Sequence, residues 1–286
     1  MTTLAIAGWR TAIECDSARV DQYVRDSYGP FVVADGDGAA ITLQVSGNPP
    51  TSSLELEQVR MTRQGAIGRF DVAGACGRID FRSWKASLNV QDVALDFALK
   101  YFLRALYAYR VFHDGGLLFH CAGLVVEGRS YLFTGQSGTG KSTVVELSAQ
   151  AAALNDDMVV LRPVEGRWRA HGTPFWNSEA VRREGQTADG PVAGIYKLVQ
   201  DQDVFLEPLN TAVASSELVA NCPIINADVV TIPGLLRRCR GLAEAVGVQR
   251  LHFRKDPAFW SLLALPRTAA DCGKAGYHDG DSAGGA

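Results

Sequence analysis

Hydrophobic and polar residues alternate in short runs over the first ninety residues of this chain. Glycine, asparagine, proline and aspartate, which favour turns, separate the runs. The runs are Leu4–Trp9, Pro30–Ala34, Ala40–Val45, Leu54–Val59, Ala66–Val72 and Arg78–Phe81. Alternation with a period of two is typical of half-buried strands, and one helix is predicted near Ser17–Ser27. We therefore predict a small, mainly antiparallel α+β N-terminal domain over residues 1–90.

From residue 89 onward the apolar residues follow a helical period instead. One apolar stripe, with spacings of four and three, consists of Leu95, Leu99, Phe102, Leu106 and Tyr109. Asn89 is a candidate N-cap for this helix, and Asp114-Gly115-Gly116 is its predicted end. A stripe of this kind indicates core packing, so the helix is predicted to open a second domain over residues 91–266.

The remainder of the second domain alternates between strand and helix patterns, which predicts an α/β fold. The predicted strands are Leu117–Cys121, Leu124–Val126, 129–134, two short pieces within 153–162, Trp168–His171, Ile195–Leu198 and Val248–Phe253. The last segment, residues 267–286, has few large apolar side chains and is predicted to be disordered.

Residues 135–142 match the phosphate-binding loop pattern G-x-x-x-x-G-K-[ST], also called Walker A. A predicted strand precedes the loop, and a helix is predicted from Lys141 to about Ala153. Glycines allow backbone N–H groups to approach phosphate oxygens, Lys141 can reach the β- and γ-phosphates, and Ser142 can bind Mg²⁺. The predicted nucleotide-binding residues are Gly135, Gln136, Ser137, Gly138, Thr139, Gly140, Lys141, Ser142 and Thr143. The predicted cofactors are ATP or GTP with Mg²⁺.

Two adjacent acids, Asp156 and Asp157, follow the loop lysine after fifteen positions. That length fits one helix and a return strand beside the loop strand, which would bring both carboxylates to the phosphates. One carboxylate would bind Mg²⁺ and the other would orient or deprotonate an acceptor hydroxyl. The alternative is a solvated turn, because Asn-Asp-Asp is favourable turn sequence.

His120 ends an apolar strand, and two interpretations stay open for it. It is either a core histidine or a group at the same sheet edge that neutralises charge near the γ-phosphate.

The spacing of these motifs resembles the HPr kinase fold, whose nucleotide-binding core is shared with phosphoenolpyruvate carboxykinases. His120, Ala122-Gly123, the loop and the Asp pair carry this resemblance. A closer similarity, spanning about residues 92–262, is to HPr-kinase-like proteins encoded beside bacterial peptide-modification genes. It adds Gly172-Thr-Pro-Phe-Trp176 and Phe253-Arg-Lys-Asp-Pro-Ala-Phe-Trp260. Some members resemble kinases that phosphorylate a C-terminal serine of a lasso precursor peptide.

The resemblance implies roles for individual residues. His120 would position or neutralise the transferred phosphoryl group, and Lys141 would bind phosphate. Ser142 and Asp156 would bind the metal, with Asp157 as the preferred base. Arg254 would reach the nucleotide or the acceptor, although it also fits a solvated arginine. The segment that follows the acids, with Trp176, Asn177 and Glu179, is predicted to form an acceptor-side loop, although Trp176 also fits a packed corner.

Two departures from HPr kinases argue against HPr itself as substrate. Thr143 stands where those enzymes have glutamate, and a downstream Met-Glu-x-x-Gly-x-Gly segment is missing. The predicted function is therefore transfer of the γ-phosphoryl group to a hydroxyl, most simply a serine of a peptide or protein. A small-molecule kinase and a non-catalytic, nucleotide-switched binding protein are the alternatives. Related kinases form hexamers, so a homo-oligomer is a further open possibility.

Composition limits the class of partner. The 286 residues are 47% hydrophobic and 21% charged, with a net charge of −3, which is ordinary for a globular protein and predicts no nucleic-acid binding. No apolar run approaches the roughly 18 residues of a membrane span, and no secretion leader is evident. Six cysteines without C-x-x-C spacing predict reduced thiols in a cytoplasmic protein.

Overall fold

The computed structural model describes residues 1–35, 39–47, 58–177 and 187–263. Within these ranges the chain has the predicted mixed α/β class, with two sheets and helices beside them. Three sequence predictions lie outside the described residues: most of the strand Leu54–Val59, the acceptor-side residue Glu179 and the tail 267–286.

Within the described ranges, the first sheet has eight strands, most of them antiparallel to their neighbours. They are β1 (Thr2–Ile6), β2 (Trp9–Cys15), β3 (Val32–Val33), β4 (Ile41–Ser46), β5 (Arg60–Gln64), β6 (Ile67–Val72), β7 (Ala75–Asp80) and β8 (Lys85–Val90). Their order is β3-β1-β2-β4-β8-β7-β6-β5, and β4 is parallel to both β2 and β8. Helix α1 (Ala18–Tyr28) begins where predicted, because the Ser17 side chain accepts a hydrogen bond from the Val20 N–H.

Strand β8 corrects the predicted start of the long helix. Asn89 lies in β8 and pairs with Cys76 of β7, so it does not cap a helix. Helix α2 spans Leu95–His113, after a 3₁₀ turn at Asp92–Ala94. Cross-strand pairing of residues 85–90 therefore overrides the capping signal of Asn89. Strands β2 and β5 were not predicted either.

Helix α2 lies between the two sheets and is buried almost all around in its middle. It contacts β7 and β8 on one side and β9 of the second sheet on the other. The predicted apolar stripe is buried throughout, which confirms its core role. The helix ends at the predicted place, with Asp114 as C-cap and Gly115 at a φ of 93°.

The second sheet has nine strands among the residues that the structure describes. They are β9 (Leu117–His120), β10 (Ala122–Val126), β11 (Arg129–Thr134), β12 (Ala152–Asn155), β13 (Met158–Val164), β14 (Arg167–His171), β15 (Asp189–Gln200), β16 (Phe205–Pro208) and β17 (Val248–Phe253). The order is β12-β10-β11-β15-β14-β13-β9, and β17 joins β15 and carries β16. The helices beside this sheet are α3 (Lys141–Glu146), α4 (Thr211–Ala220), α5 (Ile232–Val246) and α6 (Trp260–Leu263).

Helix α3 is shorter than predicted, ending at Glu146 instead of near Ala153. The Ser148 hydroxyl donates to the carbonyl oxygen of Val144 (2.5 Å) and accepts from the indole N–H of Trp260 (2.9 Å). Ala152 and Ala153 then pair with β10. Strand pairing therefore outweighs the helical preference of this alanine-rich segment.

Candidate functional site

The loop 135–140 connects β11 directly to α3, as the sequence predicts. Gly140 has a φ of 108°, and a Cβ atom there would lie 2.7 Å from Cζ of Phe253. Gly138 has a φ of 81°, and a Cβ atom there would meet nothing within 4 Å. Both backbone conformations favour glycine, and at Gly138 the backbone borders open space that a phosphate can approach.

The side chain of Lys141 folds back on the loop. Its Nζ donates to the carbonyl oxygens of Gly135 (2.7 Å) and Gln136 (3.3 Å). The hydroxyl of Thr139 also donates to the Gln136 carbonyl (2.8 Å). Burial lowers the pKa of Lys141, and the charge of Asp157 opposes this effect. These hydrogen bonds from Lys141 and Thr139 therefore hold the loop in its conformation.

The two acids reach the loop by a route different from the predicted one. Strand β12, which precedes them, pairs with β10 and not with the loop strand β11. Because β10 is antiparallel to both β11 and β12, the ends of β11 and β12 come to the same edge of the sheet. The predicted juxtaposition is present, but one strand lies between the two.

The turn that carries the acids is buried, so the alternative of a solvated turn is wrong. Asp156 is 7% exposed and Asp157 5% exposed. The Asn155 side-chain oxygen accepts from the backbone N–H groups of Asp157 and Met158, both at 2.7 Å. Its amide donates to the Thr173 carbonyl (2.8 Å). Asn155 thus fixes the direction in which both carboxylates leave the backbone.

Asp157 is held by two cationic or potentially cationic groups. His120 Nε2 lies 3.1 Å from its Oδ1, and Arg104 donates to its Oδ2 at 2.5 Å. Burial acts to raise the pKa of Asp157, but the His120 hydrogen bond and the Arg104 charge outweigh burial and lower it. The carboxylate is therefore ionised at neutral pH.

His120 reaches Asp157 because of strand register. It pairs with Met158, the residue after Asp157, and its backbone N–H donates to the Asn221 carbonyl (2.7 Å). Its side chain is 33% exposed, so it is not a fully enclosed core histidine. Of the two interpretations left open by the sequence, the structure favours the histidine at the sheet edge.

Sequence patterns missed Arg104, which lies in the middle of α2. It is 5% exposed, donates to both Asp157 and the Phe175 carbonyl (2.7 Å), and packs 5.1 Å from the Tyr101 ring centroid. Arg104 is the only charged residue of α2 between positions 101 and 109, and this isolated charge is the signal that could have identified it. Such a charge requires a buried partner.

One cavity of about 330 Å³ joins the loop, the acids and His120. Its described lining is His120, Ser137, Gly138, Gly140, Lys141, Ser142, Thr143, Asp156, Asp157, Asn177, Gln200 and Lys255. Gln200 and Lys255 were not predicted as site residues, whereas Asn177 belongs to the predicted acceptor-side loop. The Gln200 amide donates to the Gly138 carbonyl (2.9 Å), and the Asn177 backbone N–H donates to Asp156 (3.0 Å).

The two described acceptor-side candidates lie outside this cavity. Trp176 is 8% exposed and its ring centroid is 6.1 Å from that of Phe31, so it forms a packed corner. Arg254 is exposed, pairs with Asp256 and lines a neighbouring cavity of about 180 Å³ with Gly140 and Thr143. Lys255, one residue along, lines the 330 Å³ cavity together with Lys141.

A metal at this site would depend on the nucleotide. Among the described residues, no group of three or more His, Cys, Asp or Glu side chains is placed to hold a metal ion. Ser142 and Asp156 both line the cavity, however. Mg²⁺ in kinases is held by one or two protein oxygens together with phosphates, and this pair fits that requirement.

In the described ranges, no helix combines the length and apolar composition that crossing a membrane requires.

Comparisons with known proteins add little to this geometry. No family model matches the chain, and no curated protein matches it. Among solved structures, the Hpr(Ser) kinase/phosphatase from Coxiella burnetii is similar over 51% of this chain and 91% of its own length. Its sequence identity is 14% and its TM-score 0.30. That enzyme belongs to the family that the sequence motifs resemble, but a match at this TM-score carries no argument. The assignment below rests on the residues of this chain.

Proposed function

We propose that this protein is an ATP- or GTP-dependent, Mg²⁺-dependent kinase that transfers the γ-phosphoryl group to a hydroxyl. The observation that supports this most directly is the shared cavity. It combines the phosphate-binding loop, a buried carboxylate pair and a histidine bonded to one of the carboxylates. A nucleotide-binding switch needs the loop, whereas the Asp157–His120 arrangement adds chemistry that a switch does not require.

The loop would bind the phosphates of the nucleotide. Lys141 now donates to two loop carbonyls, and the same ammonium group can move to phosphate oxygens. Ser142 and Asp156 would hold Mg²⁺, which when bound neutralises charge on the phosphates. Lys255 adds a positive charge on the other side of the cavity.

Asp157 would orient the acceptor hydroxyl and accept its proton. Its carboxylate is ionised at neutral pH, and His120 and Arg104 fix its position. A strong base is unnecessary, because phosphoryl transfer depends mainly on positioning and on charge stabilisation. Charge at the transferred group would be stabilised by Lys141, with His120 beside it.

The acceptor proposed here is a serine of a peptide or protein. The motif resemblance to peptide-modifying kinases supports a precursor peptide of the lasso type. The five cysteines within the described ranges are all free thiols. Reduced thiols and ATP dependence both suit a bacterial cytoplasmic enzyme. A homo-oligomer is left to measurement.

The test is an acceptor comparison with γ-labelled ATP and Mg²⁺. The purified chain is incubated separately with the short peptide product of a neighbouring gene, with a generic serine-containing protein and with free serine. Label on a peptide or protein hydroxyl supports the proposal. Label on free serine alone moves the assignment to a small-molecule kinase, and nucleotide binding without any transfer overturns the kinase assignment.

A further inference from the structure

A second and larger cleft, of about 730 Å³, is lined by Arg104, whose side chain donates to Asp157. One wall is β5 with the residue before it, Val59, and the opposite wall is the segment 223–230. Residues of α2, among them Tyr101 and Tyr109, form its floor. None of the proposed chemistry uses this space.

One side chain, that of Arg104, connects the cleft to the carboxylate of Asp157. Arg104 lines the cleft and donates to Oδ2 of Asp157, and Met158 also lines it, next to Asp157 in the chain. The two walls are connected at their base, where Arg63 pairs with Asp228 at 3.2 Å. Tyr109 donates to the same carboxylate at 3.0 Å.

The wall formed by β5 offers backbone groups that have no partner among the described residues. Among the described strands, β5 pairs with β6 alone and forms the edge of the first sheet. The β5–β6 turn has two residues, so Gln64 and Ile67 close the hairpin as a hydrogen-bonded pair. Antiparallel alternation then directs the N–H and C=O groups of Met61 and Arg63 away from β6. These backbone groups match an extended polypeptide.

The rim of the cleft is apolar on both walls. Val59 is 41% exposed, Val229 84% and Val230 71%. They are three of the few large aliphatic side chains that the described residues leave so exposed. Exposed apolar groups that face each other across a cleft are typical of binding surfaces.

The accessible charge of the cleft is positive. Arg63 is paired with Asp228, and Arg104 with Asp157. Arg60 lines the cleft, is exposed and has no ion pair among the described residues. A peptide with an acidic side chain beside apolar residues would complement both this charge and the valine rim.

We propose that this cleft docks an extended, acidic segment of the acceptor peptide as an added strand on β5, next to the catalytic cavity. This proposal rests on the proposed kinase function, because only a kinase has a phosphoryl acceptor. Binding of a peptide to the cleft can nevertheless be measured without phosphoryl transfer. A peptide bound to β5 would lie in the cleft that Arg104 lines, and Arg104 donates to Asp157. The N-terminal sheet would thereby supply substrate recognition to the site built by the second sheet.

The test selects peptides that bind the full-length chain from a random display library, without nucleotide. We expect enriched peptides to alternate apolar and polar residues and to carry an acid. Their binding should protect the amides of Met61 and Arg63 from hydrogen exchange. Arg60→Glu should weaken binding by about tenfold or more, as expected for loss and reversal of a charged contact.

Two controls keep the result specific. Arg167→Glu reverses an exposed charge on β14 of the second sheet, which is outside the lining of the cleft, and should leave binding unchanged. Single N-methylation along the selected peptide should weaken binding at alternate positions, because only alternate amides face β5. This second measurement needs no change to the protein and cannot be confused with misfolding.

The outcomes separate the two proposals. If no peptide is enriched, or if enriched peptides bind Arg60→Glu equally well without protecting β5, the docking proposal is overturned. Transfer to a peptide that leaves β5 unprotected would leave the kinase intact and remove the docking site. Protected β5 without any transfer would keep the docking site and remove the kinase.

Discussion

The small cavity and the larger cleft differ in volume, in polarity and in the sheet that supplies their strands. The smaller cavity is lined by charged and polar groups of the second sheet and its loop. The larger cleft is bounded by an edge strand of the first sheet, exposed valines and tyrosines. The small site therefore suits phosphates and a metal, whereas the large one suits a polypeptide. Arg104 lines the cleft and Asp157 lines the small cavity, so the buried ion pair between them connects the two.

This contrast explains why the two sites should respond differently to substitution. In the small cavity, function depends on a few charges at fixed positions, so single changes should be severe. In the cleft, backbone pairing with β5 supplies much of the binding, so a single side-chain change such as Arg60→Glu should weaken binding without removing it. The following predictions concern the small cavity and its supporting residues, from the largest effect to the smallest.

Lys141→Ala should remove phosphoryl transfer almost completely. The loop would lose the ammonium group that contacts Gly135 and Gln136 and that can reach the phosphates. Loss of one electrostatic stabiliser typically costs a factor of about 10² to 10³ in rate. The rate of transfer from γ-labelled ATP checks this. Lys85→Ala, an exposed lysine on the first sheet, is the matched control and should transfer normally.

Arg104→Ala should destabilise the protein strongly. The change leaves the Asp157 carboxylate and the Phe175 carbonyl without a buried donor. Breaking one partner of a buried ion pair costs about 3 to 5 kcal/mol of unfolding free energy. Urea unfolding measures it, with Arg240→Ala as the control, since Arg240 and Glu244 form an exposed pair. Equal losses in both variants would contradict a buried role for Arg104.

Asn155→Ala should have an intermediate effect on stability and a clear effect on transfer. It removes three hydrogen bonds that define the turn carrying Asp156 and Asp157. The cost is about 2 to 3 kcal/mol, the penalty for leaving buried polar groups unpaired. Transfer should slow while nucleotide affinity is retained. Asn155→Asp keeps the acceptor oxygen but loses the donor to the Thr173 carbonyl and adds a buried charge, so it should not recover the stability.

The smallest effect concerns pH. His120 and Arg104 lower the pKa of Asp157 below its ordinary value of 3.8, so the folded state favours the ionised form. The stabilisation is fully present above pH 3.8 and is lost as pH falls through the lower, folded-state pKa. Asp157→Asn should therefore flatten the acid side of the stability profile. An unchanged profile, measured by thermal unfolding in acidic buffers, would count against the ion pair.

The sequence predicted those parts of the site that depend on local residue patterns. The loop 135–142, the strand β11 and the acidic pair each depend on residues close together in the chain, so motif spacing located them. The α2 stripe and β17 follow simple periodicity and were also located correctly. The mixed α/β class followed from the same patterns.

The missed features depend on pairing between distant segments. β8 was mistaken for a helix start because nothing local shows that residues 85–90 pair with β4 and β7. Arg104 and Asp157 are 53 positions apart, and no spacing rule connects them. The position of β10 between β11 and β12 likewise depends on sheet order. The roles of these residues in catalysis remain predictions.

The most direct measurement compares wild type with Asp157→Asn in two assays on the same preparations. One assay measures the affinity for ATP with Mg²⁺, and the other measures transfer of labelled γ-phosphate to an accepted peptide. The account predicts nearly equal nucleotide affinity and transfer slowed by a factor of about 10² to 10⁴, as expected for loss of a positioned proton acceptor. Equal transfer rates, or a loss of nucleotide binding that matches the loss of transfer, would contradict the role of Asp157 as the proton acceptor.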